Sequence, residues 1–545
     1  MWHALQHAFT RLQEEYACAR NGIGPLRLTK AQILGLFLRK SSLDIRNSWS
    51  DASLGARIAL LVFLYSIVML AADRASARLT TLTRRGFPSL RRPKGQRRWD
   101  FQAKMEDGAR RFPSTPYIVR YAGFEQIVYP SSSFHEVKSL SVDQASLMEY
   151  YAHCYFEGWH FLGREIGALH ATLSNDLARS LPARVHERQG IAKRAFGSLI
   201  GPCPEWKSIT LYGTTQKLVA MMNSPMLVGP ELGTDPRWVN GLDMFLYSLI
   251  FALFTLSHVP RLLRPVVKYV AFAPNWFFYW RMKRLAYPIV KQDLREYGEG
   301  RKPATETFRL GACLAARYKA EDRTADRLAQ DFIVTMFESL GSTTCSLYFI
   351  ISELALRPDL ADELRDELKA NLIDGQLPKS QLSELRKMDS FMRESMRTNV
   401  FSYLTVFRRL LKPVKLSIGP ELPAGAIIGV DAYNMGKSQA KWGDPDTFDP
   451  ERFLKMRQEP GHESLHQFTS LDSDMSTWGG GHQACPGRFF ASNSIKISLT
   501  HLLLNYDIKL SQGSTKPSVG SLPNGSVWPD MRASILIRER RNHDI

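Results

Sequence analysis

Trp478-Gly479-Gly480-Gly481-His482-Gln483-Ala484-Cys485-Pro486-Gly487-Arg488-Phe489-Phe490 is the stretch on which the reading of this chain turns. Three consecutive glycines let the backbone turn tightly and approach a flat ligand closely. Pro486 suits the first position of a helix. The spacing that follows, Gly487 to Tyr506 (GRFFASNSIKISLTHLLLNY), predicts one amphipathic helix. A cysteine just before a helix start has backbone N–H groups and the positive end of the helix dipole nearby, and both favour thiolate over thiol. Cys485 is therefore the candidate metal ligand.

Upstream of this loop the chain reads as mostly helical. A long periodic segment runs from Thr324 to Arg357 and stops at Pro358, as helices commonly do. Asp359 to Leu372 and Gln381 to Arg397 also show helical spacing with charges on one face. Val414 to Ile418 and Ile427 to Val430 read as short strands. The expected class is mainly α with a minor β region.

The 545 residues contain no internal repeat and no interior Gly-, Pro- or Ser-rich linker, so one large domain is the simplest organisation. The six cysteines are scattered, with no CxxC pair and no dense framework, which fits a reducing compartment. The net charge of +18 attracts anionic surfaces, but there is no zinc-finger spacing and no RNA-recognition signature. No nucleic-acid partner is expected. The densest basic run, Arg84 to Arg98, instead follows the apolar segment Ile58 to Ala72 (IALLVFLYSIVMLAA), as expected of the cytosolic flank of a membrane anchor. The expected division is an N-terminal extension over 1–53, an anchor helix over 54–75, a basic, proline-interrupted linker over 76–98 and a catalytic domain over 99–545.

The loop around Cys485 resembles the haem-binding signature of the cytochrome P450 superfamily: an aromatic residue, two residues, Gly, three residues, Cys, one residue, Gly. Trp478 stands where that family usually has Phe, while Gly481, Cys485 and Gly487 match in place. The resemblance implies that Cys485 ligates the iron of haem b, with Trp478, Gly481, Gln483 and Gly487 around the cofactor. A thiolate ligand donates electron density that promotes O–O cleavage. The family usually has a basic residue two positions before the cysteine, holding a propionate. Here Gln483 offers only a neutral hydrogen bond, weaker than a charge-assisted one. Arg408, in Phe407-Arg408-Arg409, resembles a second propionate-contacting position.

Two further motifs occur in the family's order. Glu394-Ser395-Met396-Arg397 is similar to its Glu-x-x-Arg, where i, i+3 spacing puts both side chains on one helical face. Phe448-Asp449-Pro450-Glu451-Arg452-Phe453 looks like its meander, whose arginine joins that pair. Carried over, Arg452 bridges to Glu394 and Arg397 in a structural role.

The helix ending at Arg357 resembles the one crossing the distal haem face, where the family carries Ala/Gly-Gly-x-acid-Thr. Counting back from Pro358 aligns Glu338-Ser339-Leu340-Gly341-Ser342, in which only the hydroxyl survives. A register two residues later, Leu340-Gly341-Ser342-Thr343-Thr344, restores Gly and Thr but displaces the helix end and rotates later side chains by ~200°. The unshifted register is preferred. It makes Ser342 the candidate for proton delivery, with Glu338 at i−4 on the same face to supply or relay protons. Thr343, from the alternative register, is carried as a third catalytic candidate.

Leu227-Val228-Gly229-Pro230-Glu231-Leu232 with Trp238, and the Cys485 to Ala491 ending of the loop, resemble fungal members related to ent-kaurene oxidase. That subgroup implies an apolar, terpenoid or mixed-origin secondary metabolite, by analogy alone. The resemblance implies a monooxygenase on the endoplasmic reticulum membrane, catalytic domain in the cytosol. Its partners would be membrane lipid, dioxygen, a small apolar substrate and a flavin reductase passing on electrons from NADPH. A haem-thiolate isomerase or coupling enzyme, or a non-catalytic membrane-attached scaffold, are the alternatives.

Overall fold

The structure, a computed structural model, describes residues 64, 65, 67, 68, 71, 86–90 and 100–540, apart from 122–123, 157–166, 261–262, 302–307, 473, 512–516, 518 and 522–525. The chain divides into two units, Met1–Ala75 and Ser76–Ile545. In the first, the described residues Leu64, Tyr65, Ile67, Val68 and Ala71 are helical and exposed. The rest of the expected anchor, the extension before it and most of the basic linker lie outside the described residues.

In the second unit, α1 (Phe101–Arg111) starts where Asp100 accepts a hydrogen bond from the Ala103 N–H at 3.0 Å, satisfying a donor that a helix start leaves over. The helices that position the site follow as α2 (Phe134–Ser139), α3 (Leu147–Cys154), α4 (Val185–Ile200), α5 (Leu211–Leu227), α6 (Pro236–His258), α7 (Arg264–Gly298), α8 (Ala325–Ala355), α9 (Pro358–Asn371), α10 (Arg386–Thr398) and α11 (Arg488–Asn505). The strands are β1 (Tyr117–Tyr121), β2 (Phe124–Tyr129), β3 (Ala145–Ser146), β4 (Lys207–Thr210), β5 (Leu404–Leu410), β6 (Ile427–Asp431), β7 (Tyr506–Leu510), β8 (Val519–Ser521), β9 (Val527–Pro529) and β10 (Ser534–Glu539). They form a five-stranded sheet in the order β1-β2-β6-β5-β3, a three-stranded sheet β4-β10-β7 and the pair β8-β9.

Helix α8 is the long segment expected from the sequence. Thr324 caps it, accepting from the Arg327 N–H at 3.2 Å, and at 31 residues it runs about 46 Å. From Thr343 to Ala355 every side chain is buried, so this half threads the interior. Gly229, at φ +90°, breaks the chain after α5, and Asp235 then caps α6 by accepting from the Arg237 N–H at 2.7 Å. Among the described residues α6 is the one helix long and apolar enough to cross a membrane, with mean hydropathy 1.6. Trp238, Leu242, Phe245 and Leu249 of α6 are buried, and Phe245 meets Tyr279 of α7 and Phe337 of α8 ring to ring.

Two local expectations are corrected. The helix expected over Gln381 to Arg397 is instead a 3-10 turn, Lys379–Ser383, followed by α10 from Arg386. The Glu367 carboxylate of α9 accepts the Lys387 and Met388 N–H groups at 2.6 and 2.9 Å, and so fixes the start of α10 from outside its own sequence. The strand expected over Val414 to Ile418 is reduced to a single bridge, Val414 to Leu422. Its alternation records the burial of Val414 and Leu416 in the core beside the five-stranded sheet.

Candidate active site

The cysteine loop is held from three directions. Gly479 and Gly481 take φ of +66° and +67°, which side chains rarely adopt. A Cβ on Gly481 would stand 2.1 Å from the Lys138 carbonyl oxygen of α2, so only glycine permits this approach. The Cys485 N–H donates to the Trp478 carbonyl at 2.9 Å, and the Trp478 indole N–H to the Phe468 carbonyl at 2.5 Å. The Phe468 N–H in turn donates to Asp389 of α10 at 2.7 Å. The third attachment is Gln483, whose side-chain oxygen accepts the Leu147 N–H at 2.8 Å and whose amide donates to the Ala145 carbonyl at 3.1 Å. These bonds pin the loop to β3 and α3.

Cys485 is partly open, whereas Cys154, Cys203, Cys313 and Cys345 are buried. Burial pushes its thiol up to about 11 and the charge of Glu338 adds to this, while the Gly487 N–H and Arg488 pull the other way. The thiolate-favouring groups read from the sequence are present, but desolvation outweighs them in the protein alone. A bound metal cation reverses that balance, because a coordinating thiol is deprotonated.

The long helix carries a small polar patch. Glu338 and Ser342 have open side chains, and the Ser342 hydroxyl donates to the Glu338 backbone carbonyl at 3.1 Å. Thr343 is 4% exposed and Thr344 fully buried, so the hydroxyls of the alternative register lie on the packed side of α8. Desolvation raises the Glu338 carboxyl to about 7, and its charge adds to the upward shifts of Cys485, Tyr151 and Tyr155, while Arg408 of β5 acts on Tyr151 in the opposite direction.

Arg408 is 2% exposed and donates to the Phe407 carbonyl at 2.8 Å, but its Nε has no partner and no carboxylate pairs with it among the described residues. Burial lowers its pKa to about 10, which leaves it cationic at neutral pH. Arg488 donates to the Cys485 carbonyl at 3.1 Å and also keeps an unpartnered Nε. A buried cation without a counter-charge is costly. The buried Arg408 and the half-buried Arg488 beside Cys485 carry charge of the sign that fits the anionic edge of a haem.

Glu394, Arg397 and Arg452 form a closed network. Arg397 makes two 2.8 Å bonds to the Glu394 carboxylate, and Arg452 reaches the same carboxylate at 3.2 Å. The Asp449 N–H adds a further bond at 3.0 Å. The remaining guanidinium donors of the two arginines go to the carbonyls of Gly436, Trp442, Asp444, Pro445 and Thr447. Both Glu394 and Arg397 are sealed from solvent, so this cluster braces α10, which in turn holds the cysteine loop through Asp389.

Sequence reasoning missed Tyr151, Tyr155 and His170. The His170 Nε2 lies 3.2 Å from the Ala484 carbonyl, next to the cysteine. None of the three belongs to a motif. They reach the site through the pairing of β3 with β5 and the packing around the loop. Arg488, inside the quoted loop, could have been singled out as a cation three residues from the metal ligand.

A loop-borne cysteine, a buried unpaired arginine and a long helix passing through the interior are the features expected of a haem-thiolate protein. The family described as Cytochrome P450 matches residues 282–537. Cytochrome P450 monooxygenase ffsD of Aspergillus flavipes is 38% identical over 97% of this chain and 99% of its own length. Pyrichalasin C-18 hydroxylase of Pyricularia grisea is 32% identical over 97% and 98%. Among solved structures, the retinoic acid-bound cyanobacterial CYP120A1 superposes with a TM-score of 0.61 at 16% identity, covering 80% of this chain and 94% of that one. The haem domain of cytochrome P450DA superposes with 0.64 at 14% identity, covering 84% and 98%. The chain belongs to the cytochrome P450 family. It is a monooxygenase, and its family implies haem-thiolate iron as the cofactor.

Proposed function

We propose that this monooxygenase hydroxylates, or oxidises in steps, one carbon of an apolar polycyclic secondary metabolite, using dioxygen and electrons from NADPH delivered by a flavin reductase. The terpenoid or mixed-origin skeleton rests on the resemblance to relatives of ent-kaurene oxidase. A relative named as a hydroxylase supports the reaction class. The observation that carries the reading is a partly open Cys485 on a glycine loop that Gly481, Trp478 and Gln483 hold in place.

Cys485 would hold the haem iron and Arg408 and Arg488 its anionic edge. Bound haem supplies the activation of dioxygen for insertion into an unactivated C–H bond. This chain's residues do the rest. Ser342 holds a proton at its Oγ on the open face of α8, tied by its bond to the Glu338 carbonyl. Tyr150, Tyr151 and Phe407 pack ring to ring between α3 and β5.

The test is the full chain expressed with a reductase in a host fed candidate polycyclic compounds. A thiolate-type carbon-monoxide spectrum and products carrying added oxygen, dependent on NADPH, support the reading. A chain that holds no haem overturns it. The endoplasmic reticulum location, with the catalytic unit in the cytosol, rests on Ile58 to Ala72 and its basic flank. Removing residues 1–75 is expected to release much of the protein from membranes with its haem spectrum intact. Salt should weaken the remainder, at ~1 kcal/mol per Lys or Arg near anionic lipid.

A further inference from the structure

We propose that Val406 is a positioning residue for the cofactor: the strained bulge it forms in β5 turns Arg408 onto the face of the sheet that borders the cysteine loop, and holds it there. This rests on the haem-thiolate reading of the same site and goes beyond it by naming what aims the buried guanidinium.

Val406 takes φ +42°. A β-branched side chain rarely adopts this left-handed region, and doing so costs stability. Among the described residues, Phe156, Asp374 and His466 are the other non-glycine positions with positive φ, and none of them lies in a strand. The strand pairing shows what the conformation does. Thr405 of β5 stands opposite Val430 of β6 and Arg408 opposite Ile428, so two residues, Val406 and Phe407, face Gly429 alone. This is a bulge of the kind whose first residue is ordinarily glycine. The partner strand is fitted to it, since a Cβ on Gly429 would stand 3.3 Å from the Leu404 side chain.

An extra residue changes the face that every later side chain occupies, because residues of a regular strand alternate. In an unbroken β5, Arg408 would share a face with Leu404. The bulge instead puts it with Thr405, on the side of Ile428 and Val430. Thr405 Oγ1 donates to the Ser476 carbonyl at 3.4 Å, just before Trp478 opens the cysteine loop. Ile428 and Val430 pack in one core with Phe134 and Val137 of α2. A Cβ on Gly480 of the loop would stand 3.0 Å from the Phe134 ring, so the loop borders this same face. On it Arg408 is 2% exposed and keeps an unpartnered Nε. The shift also places Leu410 in that core, which makes packing the rival account of the bulge. Packing explains the change of register but not the unpaired cation it brings inside, which is costly unless something negative meets it.

The test measures haem transfer from the full chain to an excess of an acceptor protein, in a cycle of Val406→Gly, Arg408→Met and the double variant. Glycine adopts the left-handed region freely, so Val406→Gly should keep the bulge but let it move. Haem loss is expected to be about threefold faster than in wild type, the scale of the backbone freedom that a glycine adds. In the Arg408→Met background, where haem is already lost faster, the same change should add nothing further. An unchanged rate in Val406→Gly overturns the proposal. So does the same acceleration with and without Arg408, which would make the bulge a packing device for Leu410. If Val406→Gly does not fold, Val406→Ala is read in the same cycle, with a smaller acceleration expected and the same two overturning outcomes. Each of these leaves the haem-thiolate reading standing if the wild-type carbon-monoxide spectrum is of the thiolate type. Loss of that spectrum in wild type would remove the underlying reading itself.

Discussion

Two groups of buried charge in this chain are built on opposite terms. Around Glu394, two guanidinium groups, a backbone N–H and five carbonyls meet, and each finds its partner. Around Arg408, a guanidinium lies inside the protein with its Nε left over and no carboxylate paired with it among the described residues. The first group is complete as folded and belongs to the scaffold. The second keeps a charge that the fold itself does not use.

The comparison breaks most sharply at the cysteine. Cys485→Ala should abolish the thiolate carbon-monoxide spectrum entirely, while single replacement of Cys154, Cys203, Cys313 or Cys345 preserves it. If another cysteine proves essential, the site has been placed wrongly. Next in size is Glu394→Ala, which leaves Arg397 and Arg452 with no counter-charge at a cost of ~3–5 kcal/mol. Loss of soluble, haem-loaded protein is the expected result, and normal loading would show the closed network to be dispensable.

Arg408→Met should act in the opposite sense on the two states. Removing a buried, unpaired cation should leave the haem-free fold no less stable, while haem is lost to an acceptor protein about tenfold faster, since a charge-assisted bond is worth ~1.5–3 kcal/mol. Equal retention by both proteins would return Arg408 to the scaffold. The smallest effect belongs to Glu338→Gln in the haem-free chain. Glu338 titrates about 7 when folded against 4.5 as its ordinary value, and Tyr151, Tyr155 and Cys485 are the titratable groups that share its surroundings. Below pH 4.5 both states are protonated and the variant gains nothing. As pH rises from there through 7, the unfolded chain gives up the proton first, so wild type loses stability relative to Glu338→Gln. The melting-temperature gap should open by on the order of 1 °C and level off above pH 7, and a gap independent of pH would place the carboxyl in solvent.

What the sequence discloses follows from how far apart the cooperating residues lie. Glu394 and Arg397 stand one helical turn apart, and Cys485 sits among its own glycines, so spacing along the chain reveals both. The same periodicity separates Ser342 and Glu338 from the buried Thr343 on α8. The two partners of Gln483, the backbone groups of Ala145 and Leu147, escape the sequence because no local pattern connects them to it. Tyr151 and Tyr155 were invisible for the same reason. The start of α10 escaped because the carboxylate that fixes it belongs to α9.

The three-stranded sheet carries a consequence for how the protein is made. Its central strand, β10, follows both neighbours, β4 and β7, in the chain, and among the described residues these pair only with it. Likewise the glutamine that fastens the cysteine loop lies 338 residues beyond the carbonyl it grips. At ~5–20 residues per second, roughly 20–70 s of synthesis separate those two partners. The cysteine loop is therefore fastened long after the carbonyl it grips has been made, and a nascent chain stopped before Ser534 would carry two open strand edges, prey to quality control rather than a slightly weakened enzyme.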